Sequence, residues 1–116
     1  MEQPLISILI AVRNEEKHLG RCIRSALGQN FSKEDYEIIV VNDGSDDRTQ
    51  FVVDVFGKDI KVIKNKKNLG LPSSLNLGIK AARGRYIVRM DGDDYVNADY
   101  LNILFKHLSW NHYMDA

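Results

Sequence analysis

The strongest constraint in this sequence is a change of hydrophobic period that recurs along the chain. Leu5-Ile6-Ser7-Ile8-Leu9-Ile10-Ala11 is a nearly continuous apolar, β-prone run, the pattern of a strand covered on both faces as in a parallel sheet. From Glu15 the spacing switches: Leu19, Cys22, Ile23, Ala26 and Leu27 make one stripe of an amphipathic helix. Asn14 is its expected N-cap, with Glu15 and Glu16 where the helix dipole favours negative charge. A second strand, Tyr36 to Val41, ends in Asn42-Asp43-Gly44-Ser45, and Phe51, Val52, Val55 and Phe56 then mark a helix that stops at Gly57, with Ser45 or Asp46 as its expected cap. Ile60 to Ile63 reads as a shorter third strand. Lys64 to Gly70 is a loop, and Pro72 opens a helix whose apolar face is Leu75, Ile79 and Ala82, before Gly84. A fourth strand, Tyr86 to Met90, runs into Asp91-Gly92-Asp93-Asp94, after which Leu101, Leu104, Phe105 and Leu108 mark a last helix.

This alternation builds right-handed βαβ units, so the predicted fold is α/β: a Rossmann-like, mostly parallel sheet of about four strands with about four helices on both faces. A chain of 116 residues suits one domain, taken here as 1–116. In such sheets ligands bind beyond the carboxyl ends of strands. The polar clusters lie at those ends: Arg13-Asn14-Glu15, Asn42 to Asp47, and Asp91 to Asp94. Three segments are therefore expected to converge on one rim.

Composition narrows the function. With 44% hydrophobic and 28% charged residues the balance is that of a folded soluble protein, and sixteen basic against sixteen acidic residues leave no global positive field for general nucleic-acid binding. The basic run Lys58, Lys61, Lys64, Lys66 and Lys67 reads as a solvated face; it lacks interleaved aromatics for base stacking, and attraction to anionic lipid headgroups has only weak support from it. A single cysteine, Cys22, excludes an internal disulfide framework and a Cys-rich zinc site, and fits a reducing compartment. Its place on an apolar helical stripe reads as core packing. Met1-Glu2-Gln3-Pro4 lacks the basic flank of a signal peptide, and the apolar run after it is too short to span a bilayer. The expected location is cytoplasmic, with the inner face of the membrane as an option. His18, His107 and His112 show no metal spacing, and no Walker loop, GxGxxG fingerprint or GxSxG elbow is present.

Asp91, Asp93 and Asp94 carry the clearest chemistry. Carboxylates this close repel unless a cation or donors neutralise them, and a hard divalent cation is held by one or two carboxylates together with substrate phosphates and water. The plainer reading is a solvated acidic turn that caps the last helix. An EF-hand beginning at Asp91 fits poorly, because Val96 stands at its sixth position and Asn102 at its twelfth. Asn42 to Asp47 likewise has two readings: a strand-to-helix turn, or a turn in which Asp43, exposed at the strand end, accepts hydrogen bonds from a ligand such as a nucleobase N–H. The residues alone leave both open.

Taken in order, SILIAVRNEE, IIVVNDGSDDRT and NLGLPSSLNLGIKAARGRYIVRMDGDD resemble the nucleotide-sugar-binding half of family 2 glycosyltransferases, inverting enzymes with the GT-A fold. The resemblance implies that Ala11, Val12, Arg13 and Glu15 line the nucleoside pocket. It implies that Asp43 is the uracil-contacting carboxylate of the usual Asp-Asp-Gly-Ser motif, in which Asn42 replaces the first Asp. Asn68, Gly70, Asn76 and Gly78 match two Asn-x-Gly elements that precede the metal motif. Asp91-Gly92-Asp93 matches the DxD motif, with Asp91 near ribose and metal, Asp93 the direct ligand of Mn2+ or Mg2+, and Asp94 in support.

The implied reaction is metal-assisted transfer of a sugar, hexosyl in type, from a nucleoside-diphosphate donor, UDP-linked by expectation, to an acceptor glycan or lipid-linked sugar with inversion. In the family the general base and the acceptor surface lie well downstream of the DxD motif. The expectation is therefore that these residues are the N-terminal part of a longer transferase, binding donor without completing catalysis. A non-catalytic nucleotide-binding or interaction module is the alternative. A sugar nucleotidyltransferase would need a Gly-rich, Arg-containing loop after the first strand, which Arg13-Asn14-Glu15-Glu16 does not provide. A half-built sheet would also leave apolar surface for self-association.

Overall fold

The computed structural model describes residues 3–115, with side chains through Leu108; Met1, Glu2, Ala116 and the side chain of His112 lie outside the described residues. The order is β1 (Ile6–Val12), α1 (Leu19–Leu27), a 3-10 turn (Lys33–Asp35), β2 (Tyr36–Asp43), α2 (Thr49–Val55), β3 (Lys61–Asn65), α3 (Leu71–Ala81), β4 (Tyr86–Asp91) and α4 (Tyr100–Asp115). The strands form one parallel sheet in the order β3-β2-β1-β4. This is the predicted α/β fold with its predicted strand and helix count.

Alternation along β1 divides the core. Ile6, Ile8, Ile10 and Val12 face α1, α2 and α4, meeting Leu19, Cys22, Ile23, Ala26, Val53 and Leu101. Leu9 faces the other way and packs with Ile39, Val41, Ile63 and Leu75 beneath α3. Helices thus cover both faces, and β1 is buried on both, as its unbroken apolar run requires. On α3 the buried positions are Ser74 and Gly78 rather than Ile79, which is 48% exposed. The reason is close approach: a Cβ on Gly78 would lie 2.1 Å from Leu9 Cδ1, so the helix backbone itself rests on the sheet.

Two predicted helix starts are corrected. Asn14 does not cap α1; it has φ 56° and the helix begins one turn later, with His18 at the N-cap position. Ser45 and Asp46 do not cap α2, because the Asp47 carboxylate accepts from Thr49 N–H at 2.9 Å and Thr49 O–H at 2.5 Å. The predicted α2 stripe is also half wrong. Val52 and Phe56 pack on the core with buried Val53, whereas Phe51 and Val55 face outward, 71% and 68% exposed, because α2 leans only on α1 and the β2 side of the sheet.

The register sets where the site lies. Val12 pairs with Asn42, Ala11 with Asp91, and Asp43 with Asn65, so all four strands end on one rim. The chain steps from β1 outward to β2 and β3, then returns to place β4 on the opposite side of β1. That reversal makes a topological switch point between β1 and β4, where open α/β sheets bind ligands.

Candidate functional site at the strand-end rim

At the switch point, Asp91 ends β4 and the chain turns tightly: Asp94 N–H donates to Asp91 O at 3.0 Å, and Asp91 N–H donates to Asp94 Oδ2 at 2.7 Å. The turn gathers one carboxylate oxygen each of Asp91, Asp93 and Asp94 within 4.8 Å of one another, all on exposed residues. Their compensating cation is Arg89, whose Nη2 lies 3.2 Å from Asp91 Oδ1. A three-oxygen cluster open to solvent fits a hard cation that keeps water and phosphate in its remaining positions. Gly92 lies buried under this turn. A Cβ there would come within 2.5 Å of Val12 Cγ1 and 3.1 Å of Glu15 Cγ, so glycine lets the acidic turn seat directly on the loop after β1.

That loop is braced by the second rim segment. Asn14 N–H donates to Ser45 Oγ at 2.9 Å while Asn14 Oδ1 accepts from Asp46 N–H at 2.8 Å. Glu15 N–H donates to the buried Thr49 Oγ1 at 2.8 Å, and Arg13 pairs with Asp46 at 3.1 Å. Asn14 in a left-handed conformation is therefore a connector: its short amide tolerates positive φ and bonds locally to the partner loop. Asn42, where an Asp is usual in the resembled motif, donates from Nδ2 to Gln50 Oε1 at 2.8 Å and accepts Ser45 O–H at 2.5 Å.

Asp43 departs from the sequence expectation. It is not exposed at the strand end but 5% accessible. Oδ1 accepts from Asn65 Nδ2 at 2.9 Å and Leu69 N–H at 2.7 Å, and Oδ2 accepts from Gly70 N–H at 2.9 Å. Burial pushes its carboxyl up, but the bonds from Leu69, Asn65, Gly70 and Ser74 outweigh burial and hold it below the ordinary carboxylate range. It thereby fixes the Asn68–Gly70 turn, where Gly70 has φ 96° and Asn68 Oδ1 also accepts the Gly70 N–H at 3.0 Å.

The rim thus brings together Arg13, Glu15, Asp43, Asn68, Gly70, Asp91, Gly92 and Asp93. Ala11, one residue before the end of β1, is half-buried; the side chain of Val12, which ends the strand, is core, leaving only its backbone for a ligand. Asn76 stands apart, on an exposed turn of α3 with no hydrogen bond to the rim residues. Cys22 lies beneath the acidic turn and donates from Sγ to Asp91 O at 3.3 Å; burial first, then Asp94, Asp93, Asp91 and Glu15, push its thiol up to about 12.

The glycosyl transferase family 2 model matches residues 7–115. The chain belongs to glycosyltransferase family 2. Among relatives of this family 2 chain, the Bacillus subtilis uncharacterized glycosyltransferase EpsJ is 47% identical over 93% of the chain and 31% of its own length. An uncharacterized glycosyltransferase of Haemophilus influenzae is 36% identical over 97% of the chain and 35% of its own length. The solved structure of S. aureus TarS 1-349 in complex with UDP-GlcNAc superposes with a TM-score of 0.85 at 29% identity, covering 93% of this chain and 32% of that one. The chain spans about a third of the length of these three proteins.

Sequence reasoning missed several residues that build this family 2 rim. Asn65 and Ser74 are buried and bond to each other at 3.1 Å behind Asp43. Gln29, also buried, donates to Asn97 O at 2.7 Å and accepts from Leu101 N–H at 2.8 Å, anchoring the segment after the acidic turn to the end of α1. A polar residue directly after the helix-ending Gly28 was the available signal. Lys61, read as solvated, instead pairs with Glu37 at 2.9 Å at the far end of the sheet.

Proposed function

We propose that this chain forms the donor-binding portion of an inverting glycosyltransferase that moves a hexosyl group from a nucleoside diphosphate, uridine-linked, to an acceptor hydroxyl. The observation that carries the reading is the seating of the Asp91–Asp94 turn on the Arg13–Glu15 loop at the β1/β4 switch point, which sets three carboxylates beside the groove where a nucleotide would lie. The TarS complexes with UDP and with UDP-GlcNAc support the choice of nucleotide.

In this reading Asp93 and Asp91, with Asp94 in support, hold Mn2+ or Mg2+. Such an ion, when bound, supplies charge neutralisation for the departing diphosphate. Ala11 and Val12 offer backbone groups to the nucleoside, and Arg13 and Glu15 border it. Asp43 accepts from Leu69, Asn65, Gly70 and Ser74, which fills about the four positions a carboxylate offers, so a nucleobase N–H would displace or share with one of these donors. Deprotonation of the attacking hydroxyl is a role assigned to no residue of this chain. Asn68 and Gly70 shape the turn beside the base; Asn76, one and a half turns into α3, belongs to the outer wall.

The test is calorimetric titration of UDP into the folded chain with and without Mn2+, repeated for Asp93→Ala. The reading expects binding that requires metal and that Asp93→Ala abolishes while circular dichroism stays native. Metal-independent binding, or binding that survives Asp93→Ala unchanged, overturns the assignment.

A further inference from the structure

Outside the rim, the outer surface of α1 and α2 carries a feature that nucleotide binding does not use. Lys17, Arg21 and Arg24 recur at i, i+4 and i+7, one face of α1 and the turn before it, and Phe51 and Val55 recur at i and i+4 on α2. The two faces border one groove of about 300 Å³. Phe51 and Val55 have the highest exposures among the large apolar side chains of the described residues, 71% and 68%. None of the three cations is in an ion pair among the described residues, although Arg13, Lys61 and Arg89 each form one elsewhere. Arg21 instead stacks its guanidinium 5.3 Å from the ring centroid of Tyr95, itself 66% exposed. That aromatic directly follows the acidic turn and extends the patch to the mouth of the site. The opposing charges on the face itself are Glu16, in the groove, and Asp54, which accepts from Gln50 at 2.8 Å; beyond Tyr95 stand the Asp91–Asp94 carboxylates, which a bound cation would neutralise. On a chain with zero net charge, Lys17, Arg21 and Arg24 against Glu16 and Asp54 leave this face one charge positive around protruding aromatic and aliphatic groups, which complements an anionic, partly apolar surface.

We propose that this α1/α2 face docks the protein on the surface of a bilayer rich in anionic phospholipid, Phe51 and Val55 dipping into the headgroup boundary while Lys17, Arg21 and Arg24 pair with lipid phosphates. The Tyr95 contact then sets the mouth of the Asp91–Asp94 site beside the membrane plane, where an acceptor anchored in lipid would be presented. The basic run at Lys64 to Lys67 takes no part, since it lies at the end of β3 and in the loop after it, where the neighbouring Leu69 and Leu71 protrude less, each 45% exposed.

Each cation near an anionic leaflet strengthens binding about fivefold, so losing two should weaken it about 25-fold and reversing them should weaken it further. The experiment is co-sedimentation of the chain with vesicles of phosphatidylglycerol mixed with phosphatidylcholine, against pure phosphatidylcholine. Expected are binding to the anionic vesicles alone, loss in high salt, loss in R21E/R24E, and marked weakening in F51S/V55S, with K66E/K67E unchanged. These positions are exposed, so native circular dichroism is expected throughout, and UDP titration of R21E/R24E should match the parent chain. Absence of vesicle binding by folded protein overturns the proposal, as does binding that K66E/K67E removes. So does a concentration-dependent dimer, seen by sedimentation and dispersed by F51S/V55S, in a chain that ignores vesicles, since the face would then serve a second copy.

Discussion

Asp43→Ala separates a supporting carboxylate from a purely ligand-facing one. In the folded chain four donors converge on Asp43, from Leu69, Gly70, Asn65 and Ser74, and removing it affects them unequally. Gly70 N–H keeps Asn68 Oδ1 at 3.0 Å, and Asn65 Nδ2 keeps Ser74 Oγ at 3.1 Å, but Leu69 N–H has no second acceptor. A hydrogen bond to a charged group contributes about 1.5–3 kcal/mol, and an orphaned buried donor costs within the same range, so the Leu69 bond sets the scale. The three other donors add about 1 kcal/mol between them, and release of the carboxylate's own burial cost offsets a similar amount. The net expectation is a loss of about 2 kcal/mol, a large part of the roughly 5–15 kcal/mol that holds a domain together. At an m-value of about 2 kcal/mol/M the urea midpoint should fall by about 1 M, read by far-ultraviolet circular dichroism. Asp43→Asn keeps one carbonyl oxygen but turns an amide against Gly70 N–H, so it should fall about half to two-thirds as far. An Asp43→Ala midpoint within about 0.3 M of the parent would refute the idea that this carboxylate holds the loop. The same result would bear on ligand binding. If the loop does loosen, weaker UDP binding in Asp43→Ala is no proof of a base contact, which is why Asp93→Ala is the sharper test of the site.

Two further predictions follow from the titratable groups. Burial raises both Glu37 and Asp43, but hydrogen bonds, joined at Glu37 by Lys61, bring them below their ordinary values of 4.5 and 3.8, so the unfolded chain takes up protons first as pH falls. Their contribution is intact above those ordinary values and is lost as pH drops through the lower folded ones. The urea midpoint should be flat from neutrality to about pH 5 and fall steadily below about pH 4; a midpoint unchanged down to about pH 3 contradicts the linkage. Cys22, fully buried with its thiol pushed up to about 12, should react with a thiol-specific disulfide reagent at neutral pH at least about 1000-fold more slowly than in urea. Labelling of the native chain at the unfolded rate would show that the acidic turn does not stay seated over α1.

What the sequence made legible was local. Ile6 to Val12 and Tyr36 to Asp43 are strands because a nearly continuous apolar run, Ile8 to Val12 in one and Ile38 to Val41 in the other, can be buried only between two layers, and the pattern itself carries that information. The acidic turn was legible for a similar reason, since Asp91, Asp93 and Asp94 are neighbours in sequence and a strand end holds them in place. The errors fall where a side chain is used by something distant. Asn14 has the type of a helix cap, yet its partners are Ser45 and Asp46, 31 and 32 residues away, and nothing in the window around Asn14 encodes them. Phe51 and Val55 have helical spacing, but which side of α2 is covered depends on how far the sheet extends beneath it, which is a property of strand order.

Asp43 shows why such errors gather at the rim rather than in the core. A strand end that faces a ligand groove has a finite number of backbone N–H groups left unpaired where the sheet stops, and they must be satisfied before any ligand arrives. A carboxylate at the last position of β2 can satisfy several at once, so the residue type that suits a nucleobase contact also suits internal bracing. The same holds for Thr49, whose hydroxyl both donates to Asp47 and accepts Glu15 N–H, tying the loop after β1 to the start of α2. Residue type therefore narrows the chemistry to a polar strand end without dividing its acceptors between loop and ligand. The division is set by the turn that closes over the strand, here Asn68 to Gly70, and it leaves Asp43 ringed by internal donors rather than the open carboxylate that its place in the sequence suggested.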